Sequence, residues 1–282
     1  MALPPLAVYV ALVLGPLVWS FAISLTDWNG LAKDRPFIAL GNYTRAIADP
    51  LFLKAFVNTA LWMVVGVVLS TLGGLAIAAV LDRPMRGSRV YKSLFYLPIC
   101  LSLAVVSQVW IWIYQPDIGL LNTVLRAVGL DSAAQAWLAN PGTALWAVII
   151  AWCWQQTALS LVLYLAALTT VPSSLLEAAA TDGATSRQTF RHVVLPLLRP
   201  ATTVVVALGV IGVLKGFDVV YLLTGGGPVH ASDNLAMFMF NETFKKYQLG
   251  YGAAISTILF FLALAVVIVY FRQVRAGERV YG

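Results

Sequence analysis

The side chains in this sequence that could hold a polar solute sit inside long apolar runs. Trp152, Gln155 and Gln156 lie close together in one such run. Amides that both donate and accept, beside an aromatic face, suit a sugar's hydroxyls and its flatter apolar side. The same residues could equally hydrogen-bond one helix to another, a contact worth about 0.6 kcal/mol in a bilayer. Gly209, Gly212 and Gly216 recur at spacings of three and four and so share one helix face. Small residues there either permit close helix packing or leave room for a ligand. Lys215 and Asp218 are three apart, within pairing reach. An ion pair is expected between them, because an isolated charge at mid-membrane costs about 2.5–3.5 kcal/mol. His192 and His230 are the only histidines, which argues against a multi-histidine metal centre. Cys100 and Cys153 lack a CxxC partner and read as small core residues. No catalytic residues, metal site or cofactor are expected in the chain. It has no G-x-x-x-x-G-K-[ST] phosphate loop, so any ATP and Mg would be bound by a separate subunit.

The elements that must carry these residues follow from composition. The chain is 60% hydrophobic and only 11% charged, against about 45–50% and about 25% in soluble domains. That excess points to a lipid environment. Six apolar runs, at 6–26, 59–81, 93–114, 144–168, 201–223 and 253–271, each approach the length of about 20 residues that crosses a bilayer as helix. Unpaired backbone amides are excluded from lipid, so the expected fold is an all-α integral membrane protein with six spans in one domain, 1–282. The first run lacks a basic start and a cleavage site and reads as a retained span.

The net charge of +6 is spread through the gaps between runs rather than gathered in a patch, which suits membrane orientation and not nucleic acid. Arg83, Arg86, Arg89 and Lys92 follow span 2. Arg187, Arg191 and Arg199 follow span 4, and Arg272, Arg275 and Arg279 follow span 6. These dense sets mark the cytoplasmic side and place both termini there. Trp28, Trp110, Trp112, Tyr114, Trp137 and Trp146 fall near the expected outer ends, as interfacial aromatics do.

The gap after span 4, at 172–196, has its own local logic. Pro172 closes the span. Ser174 and Glu177 have the spacing of a capping box, the alanines propagate a short helix, and Gly183 can stop it with a positive φ. A second helix over 185–194 then presents Phe190, Val193, Val194 and Leu197 on one face, with Arg187 and Arg191 away from it.

The pattern Glu177-Ala178-Ala179-x-x-Asp182-Gly183-Ala184, followed by Val193-x-Leu195-Pro196, resembles the EAA loop of the permease subunits of binding-protein-dependent ABC importers. Val193 departs from the family's usual isoleucine. Phe21 to Trp28, Gly41-Asn42-Tyr43, Asn58-Thr59, Gly216-Phe217-Asp218 through the turn Thr224-Gly225-Gly226-Gly227-Pro228, and Gly250 to Ala254 are similar to the sugar-permease branch, of maltose and glycerol-phosphate type.

The resemblance implies a type I importer permease in a bacterial inner membrane, with the EAA helix docking on an ATPase subunit. Glu177 would meet a basic group, Ala178 and Ala179 would allow close approach, Asp182 would be a polar contact, and Gly183 and Ala184 would form the bend. The alternative is that Glu177 only caps its own helix. Substrate contacts would come from Trp152, Gln155, Gln156, Gly209, Gly212, Val213 and Gly216. The implied partners are a second homologous permease, two ATPase subunits, an extracytoplasmic binding protein and the bilayer. The implied cargo is a carbohydrate, the alternative being glycerol 3-phosphate or another polyol. An ion-coupled transporter would need intramembrane carboxylates and an inverted repeat, and an intramembrane enzyme would need a nucleophile–base set. Asp218 alone is thin support for the first, and no nucleophile–base set appears for the second.

Overall fold

The computed structural model describes residues 6, 8–82 and 87–281; Arg83 and Arg86, used above for orientation, lie outside the described residues. Among the described residues the chain is helical, with a single isolated bridge between Thr26 and Phe37.

Helix α1 (Val10–Ser24) is followed by the short α2 (Gly41–Ala48) and by α3 (Pro50–Leu81), which runs 32 residues unbroken. Pro50 presets the first helical φ. Asp49 caps the start, its Oδ1 accepting from the N–H of Leu51 at 2.8 Å and of Phe52 at 3.4 Å. At 1.5 Å per residue α3 is about 48 Å long, well beyond the ~30 Å of bilayer hydrocarbon. The helix therefore starts earlier than the apolar run at 59–81 that predicts it. Helices α7 (Ala144–Leu168) and α13 (Leu249–Tyr281) are the other unbroken spans.

Two predicted spans are not single rods. The run at 93–114 is split into α4 (Ser88–Cys100) and α5 (Leu103–Ile113), which meet at 105°. Pro98 cannot donate to the carbonyl one turn back. Leu101 is extended (φ −87°, ψ 142°), and Ser102 starts a fresh helix, its Oγ accepting from Val105 N–H at 3.4 Å. Helix α6 (Leu120–Ala127) lies on the segment joining α5 to α7. The run at 201–223 is split into α10 (Arg199–Leu214) and α11 (Phe217–Leu223), parted at Lys215 and Gly216. Lys215 and Asp218 stand on either side of this break, both exposed, and form no ion pair with each other. The expected pair is thus corrected.

Before α10 come α8 (Ser173–Thr181) and α9 (Ser186–Leu197), and α9 meets α10 at 65°. After α11 come α12 (Leu235–Phe240) and a π-helical turn, Asn241–Lys245.

The centre of the bundle is α3 against α7, with α10 laid over both. Gly74 makes the α3–α7 contact possible: a Cβ there would lie within 3 Å of the Ser160 and Leu161 backbone. Three apolar clusters stack along the spans. Ala78, Leu161, Tyr164, Val194 and Leu198 form one. Trp62, Val67, Val148, Trp152, Val213 and Val220 form the middle one. Phe52, Leu235, Phe238, Tyr251 and Ile255 form the third.

The residues flanking α3 and α13 form a ledge on the third cluster's side. Asn42 Nδ2 donates to the carbonyls of Ser24 and Thr26 at 2.9 and 2.8 Å. Tyr251 Oη donates to Asp49 Oδ2 at 3.0 Å, and the Arg45 guanidinium lies 4.1 Å from the Tyr251 ring centroid. Of the expected interfacial aromatics, Trp112 and Trp146 expose broad faces. Tyr114 is buried and donates to Ala147 O, and Trp137 donates to Asn122. Cys100 is exposed, against the core expectation, while Cys153 is half-buried and donates to Gly66 O at 3.4 Å.

Candidate functional site: a surface loop and a broken-span cluster

The loop after α7 forms as two short helices at a sharp bend. α7 ends at Leu168, and Pro172, extended at ψ 128°, is the N-cap of α8. That shifts the helix start: Ser174 and Glu177 form no capping box, and no side chain caps α8. The capping box belongs instead to α9, where Thr185 Oγ1 accepts from Gln188 N–H and Gln188 Oε1 accepts from Thr185 N–H at 2.8 Å. Gly183 ends α8 at φ +76°, with open space around the position a Cβ would take.

In α9, Phe190, Val193 and Leu197 are half-buried and Val194 is buried, while Arg187 and Arg191 are exposed. Five residues of this helix, Phe190–Val194, are wound as a π turn. The α9 face thus anchors the loop to the bundle. On α8, Glu177 and Ala178 are exposed and Ala179 turns inward at 9% exposure; just past its end Asp182 is exposed and Ala184 half-buried. The Glu177 carboxylate takes part in none of the hydrogen bonds or ion pairs among the described residues. Freed from capping, it stands on an alanine-smooth helix facing away from the bundle.

The second cluster lies where α3, α7 and α10 meet. Trp62 and Trp152 pack edge to face, ring centroids 5.7 Å apart. The glycine face of α10 is set against them. A Cβ on Gly216 would lie 2.7 Å from Trp62 Cη2, one on Gly212 would lie 3.3 Å from Trp152 Cζ2, and one on Gly209 would lie 3.3 Å from the Val67 methyls. Val213 is fully buried between them. In this state the glycines give close helix approach. The cluster also holds buried donors: Trp62 Nε1 and Gln156 Nε2 have no partner among the described residues.

Gln155, one position away, points elsewhere. Its Nε2 donates to Leu101 O at 2.7 Å and to Pro98 O at 3.2 Å, at the break between α4 and α5. Beside that break is a groove of about 470 Å³, lined by Phe95, Pro98, Trp110, Cys153, Trp154 and Thr157 among others.

The turn at 224–228 is more than a simple reversal. Thr224 and Ser232 hydroxyls share a hydrogen bond of 2.7 Å, and Ser232 Oγ donates to Gly227 O. Asn58 Nδ2 donates to the carbonyls of Ala231 and Asp233, Thr59 Oγ1 accepts from Leu235 N–H, and Asn234 Nδ2 donates to Gly216 O at the second break. Asp233 is buried, with Oδ2 at 2.5 Å from His230 Nδ1. Burial pushes its carboxyl above the usual range, and His230, Lys245 and Lys54 oppose the shift. Sequence reading passed over Asn58 and Asn234 as ligands of the backbone; their signal is an amide at the edge of an apolar run.

The chain matches the family model described as binding-protein-dependent transport system inner membrane component over residues 70–276. It is 34% identical to the probable ABC transporter permease protein YurN of Bacillus subtilis, covering 98% of this chain and 95% of that protein. It is 33% identical to the trehalose/maltose transport system permease protein MalF of Thermococcus litoralis, covering 96% and 91%. In fold it is similar to a chain of a bacterial ABC transporter involved in the import of the acidic polysaccharide alginate. That match has a TM-score of 0.82 at 19% identity, over 100% of this chain and 95% of the other.

Proposed function

The chain belongs to the family of binding-protein-dependent transport system inner membrane components, and from that premise we propose that it is the permease through which an ATP-driven importer passes a carbohydrate. It performs no ATP chemistry; two separate ATPase subunits, with their Mg, supply the work. An extracytoplasmic binding protein delivers the cargo, and a second, homologous permease completes the pathway. Both termini are cytoplasmic, on the side of α8.

The observation that carries this reading is α8: a short, exposed helix whose one acidic side chain is unpaired among the described residues and whose exit is a glycine bend at positive φ. Glu177 meets a basic group of the ATPase. Ala178 lets the surfaces approach, Asp182 adds a polar contact, and Gly183 and Ala184 hold the turn toward α9. Closure of the motor then moves α8, and α9 passes the movement to α10 through its buried face.

Trp152, Gln156, Gly209, Gly212, Val213 and Gly216 form the cargo-facing part of the pathway. The unpartnered donors Gln156 Nε2 and Trp62 Nε1 support it, because a sugar hydroxyl can accept from them once the helices part. A phosphorylated polyol would want a cation in the path, and Lys215, exposed at the break in span 5, is the one beside this face. The neutral sugar is the preferred cargo.

Glu177→Lys in the reconstituted complex tests the docking role. Cargo-stimulated ATP hydrolysis and uptake should both fall at least tenfold, on the order of one charged contact reversed, with normal membrane insertion. Unaltered uptake would remove the docking claim. A ligand screen on the partner binding protein identifies the cargo.

A further inference from the structure

We infer that Gln155 is a positioning residue that fixes the broken third span, and that it does not touch cargo. A helix interrupted inside a bilayer leaves carbonyls that neither lipid nor its own next turn can satisfy. Leu101 O is such a group: the N–H four residues on, at Val105, is taken by Ser102 Oγ. Pro98 O is another. The extended Leu101 carries Ser102 N–H out of its reach, leaving the carbonyl a long 3.3 Å contact from Leu101 N–H.

Gln155 Nε2 reaches both carbonyls, at 2.7 Å and 3.2 Å. A side-chain amide has two N–H donors, and here each is spent on the backbone of the other helix. Glutamate would lack them when ionised, asparagine would be one methylene short, and leucine would offer nothing. The adjacent Gln156 behaves differently: its Nε2 has no partner among the described residues and lies on the side of Gly209. The two neighbouring glutamines thus divide their tasks, one holding the bend and one facing the pathway. Asn234 on Gly216 O repeats the device at the second break.

This assignment leans on the permease reading only for its transport arm. The experiment uses the complete importer complex in lipid nanodiscs, with Gln155→Leu, Gln155→Glu and, as control, Gln156→Leu. Hydrogen–deuterium exchange is followed on the peptide spanning 98–106. Gln155→Leu should speed exchange at the bend by about tenfold, the effect of removing the partner of a buried carbonyl, while Gln156→Leu leaves it unchanged. Uptake by Gln155→Leu should show a lower maximal rate at an unchanged half-saturating concentration of loaded binding protein. Normal exchange at the bend in Gln155→Leu overturns the inference, as does a raised half-saturating concentration. If the leucine variant does not insert, Gln155→Glu, which keeps the size and loses the donors, is read by the same criteria. The exchange arm requires no transport, so its failure is distinct from a failure of the permease assignment.

Discussion

Gly216→Ala is a sharp test of how the spans meet. The added methyl would sit 2.7 Å from Trp62 Cη2, 3.1 Å from Cζ3 and 2.9 Å from the Val213 carbonyl. Ordinary carbon contacts lie near 3.5–4.0 Å, so about 1 Å of relief is required. Trp62 cannot supply it by rotation, since it is fully buried and held edge-on by Trp152. The Val213 carbonyl belongs to the same turn and cannot retreat without unwinding α10. Overpacking of this kind costs about 1–3 kcal/mol. The backbone at Gly216 (φ −73°, ψ 45°) sits near an inverse γ-turn and outside the left-handed region that selects glycine, so the penalty comes chiefly from the methyl's contacts. For a chain of 282 residues the loss corresponds to roughly 2–5 °C of melting temperature.

The assay is intrinsic tryptophan fluorescence of the purified chain in detergent, heated at a fixed scan rate. A second substitution, Trp62→Phe, removes the part of the ring that is struck. The double variant should therefore be less destabilised than the sum of the two singles by about 1 kcal/mol or more. Strict additivity, or a Gly216→Ala protein that melts like the parent, would refute the reasoning and return this glycine to the role of lining open space.

Two further outcomes are expected. Gly74→Ala, whose methyl meets backbone of α7 at 2.8–2.9 Å, should lower the melting temperature by several degrees, on the order of 1–3 kcal/mol. Its neighbour Gly73→Ala meets the Thr157 side chain at 3.3 Å, which can yield, and should be neutral or slightly stabilising through helix propensity; identical melting of the two would be contrary. Asp233 has a folded-state pKa raised above its ordinary value, so it contributes most to stability below about pH 3.8, and that contribution is lost as pH rises through the raised value. Asp233→Asn removes the titration, and its melting temperature relative to the parent should climb with pH across that window; a flat difference would contradict the burial argument.

Much of the architecture could be read from hydropathy, because an apolar run of sufficient length has few options in lipid. Direction within a run is invisible to that reading. The elbow at Leu101 arises from Pro98 and Ser102, a helix breaker followed by a helix starter, inside one apolar run. The Lys215–Asp218 pairing failed for the same reason: helical spacing was assumed across a break. At the surface loop, Gly183 was legible because positive φ selects glycine, and the α9 face was legible from its period. The Ser174–Glu177 box was not formed because Pro172 takes the cap position itself, moving serine into the first turn. Gln155 illustrates a harder limit. Residue type and position suited a sugar, yet which way an amide points depends on where a neighbouring helix has left an orphaned carbonyl.

The unbroken α3 has a mechanical consequence. It reaches from the Asp49 ledge, where Tyr251 and Arg45 gather, to the cluster at Ala78 and Leu81. Over its length of about 48 Å, pivoting by about 10° would swing one tip by roughly 8 Å relative to the other. A jointed neighbour absorbs such a swing at its hinge; a stiff spar hands it on whole, so a nudge at either surface is felt at the opposite one.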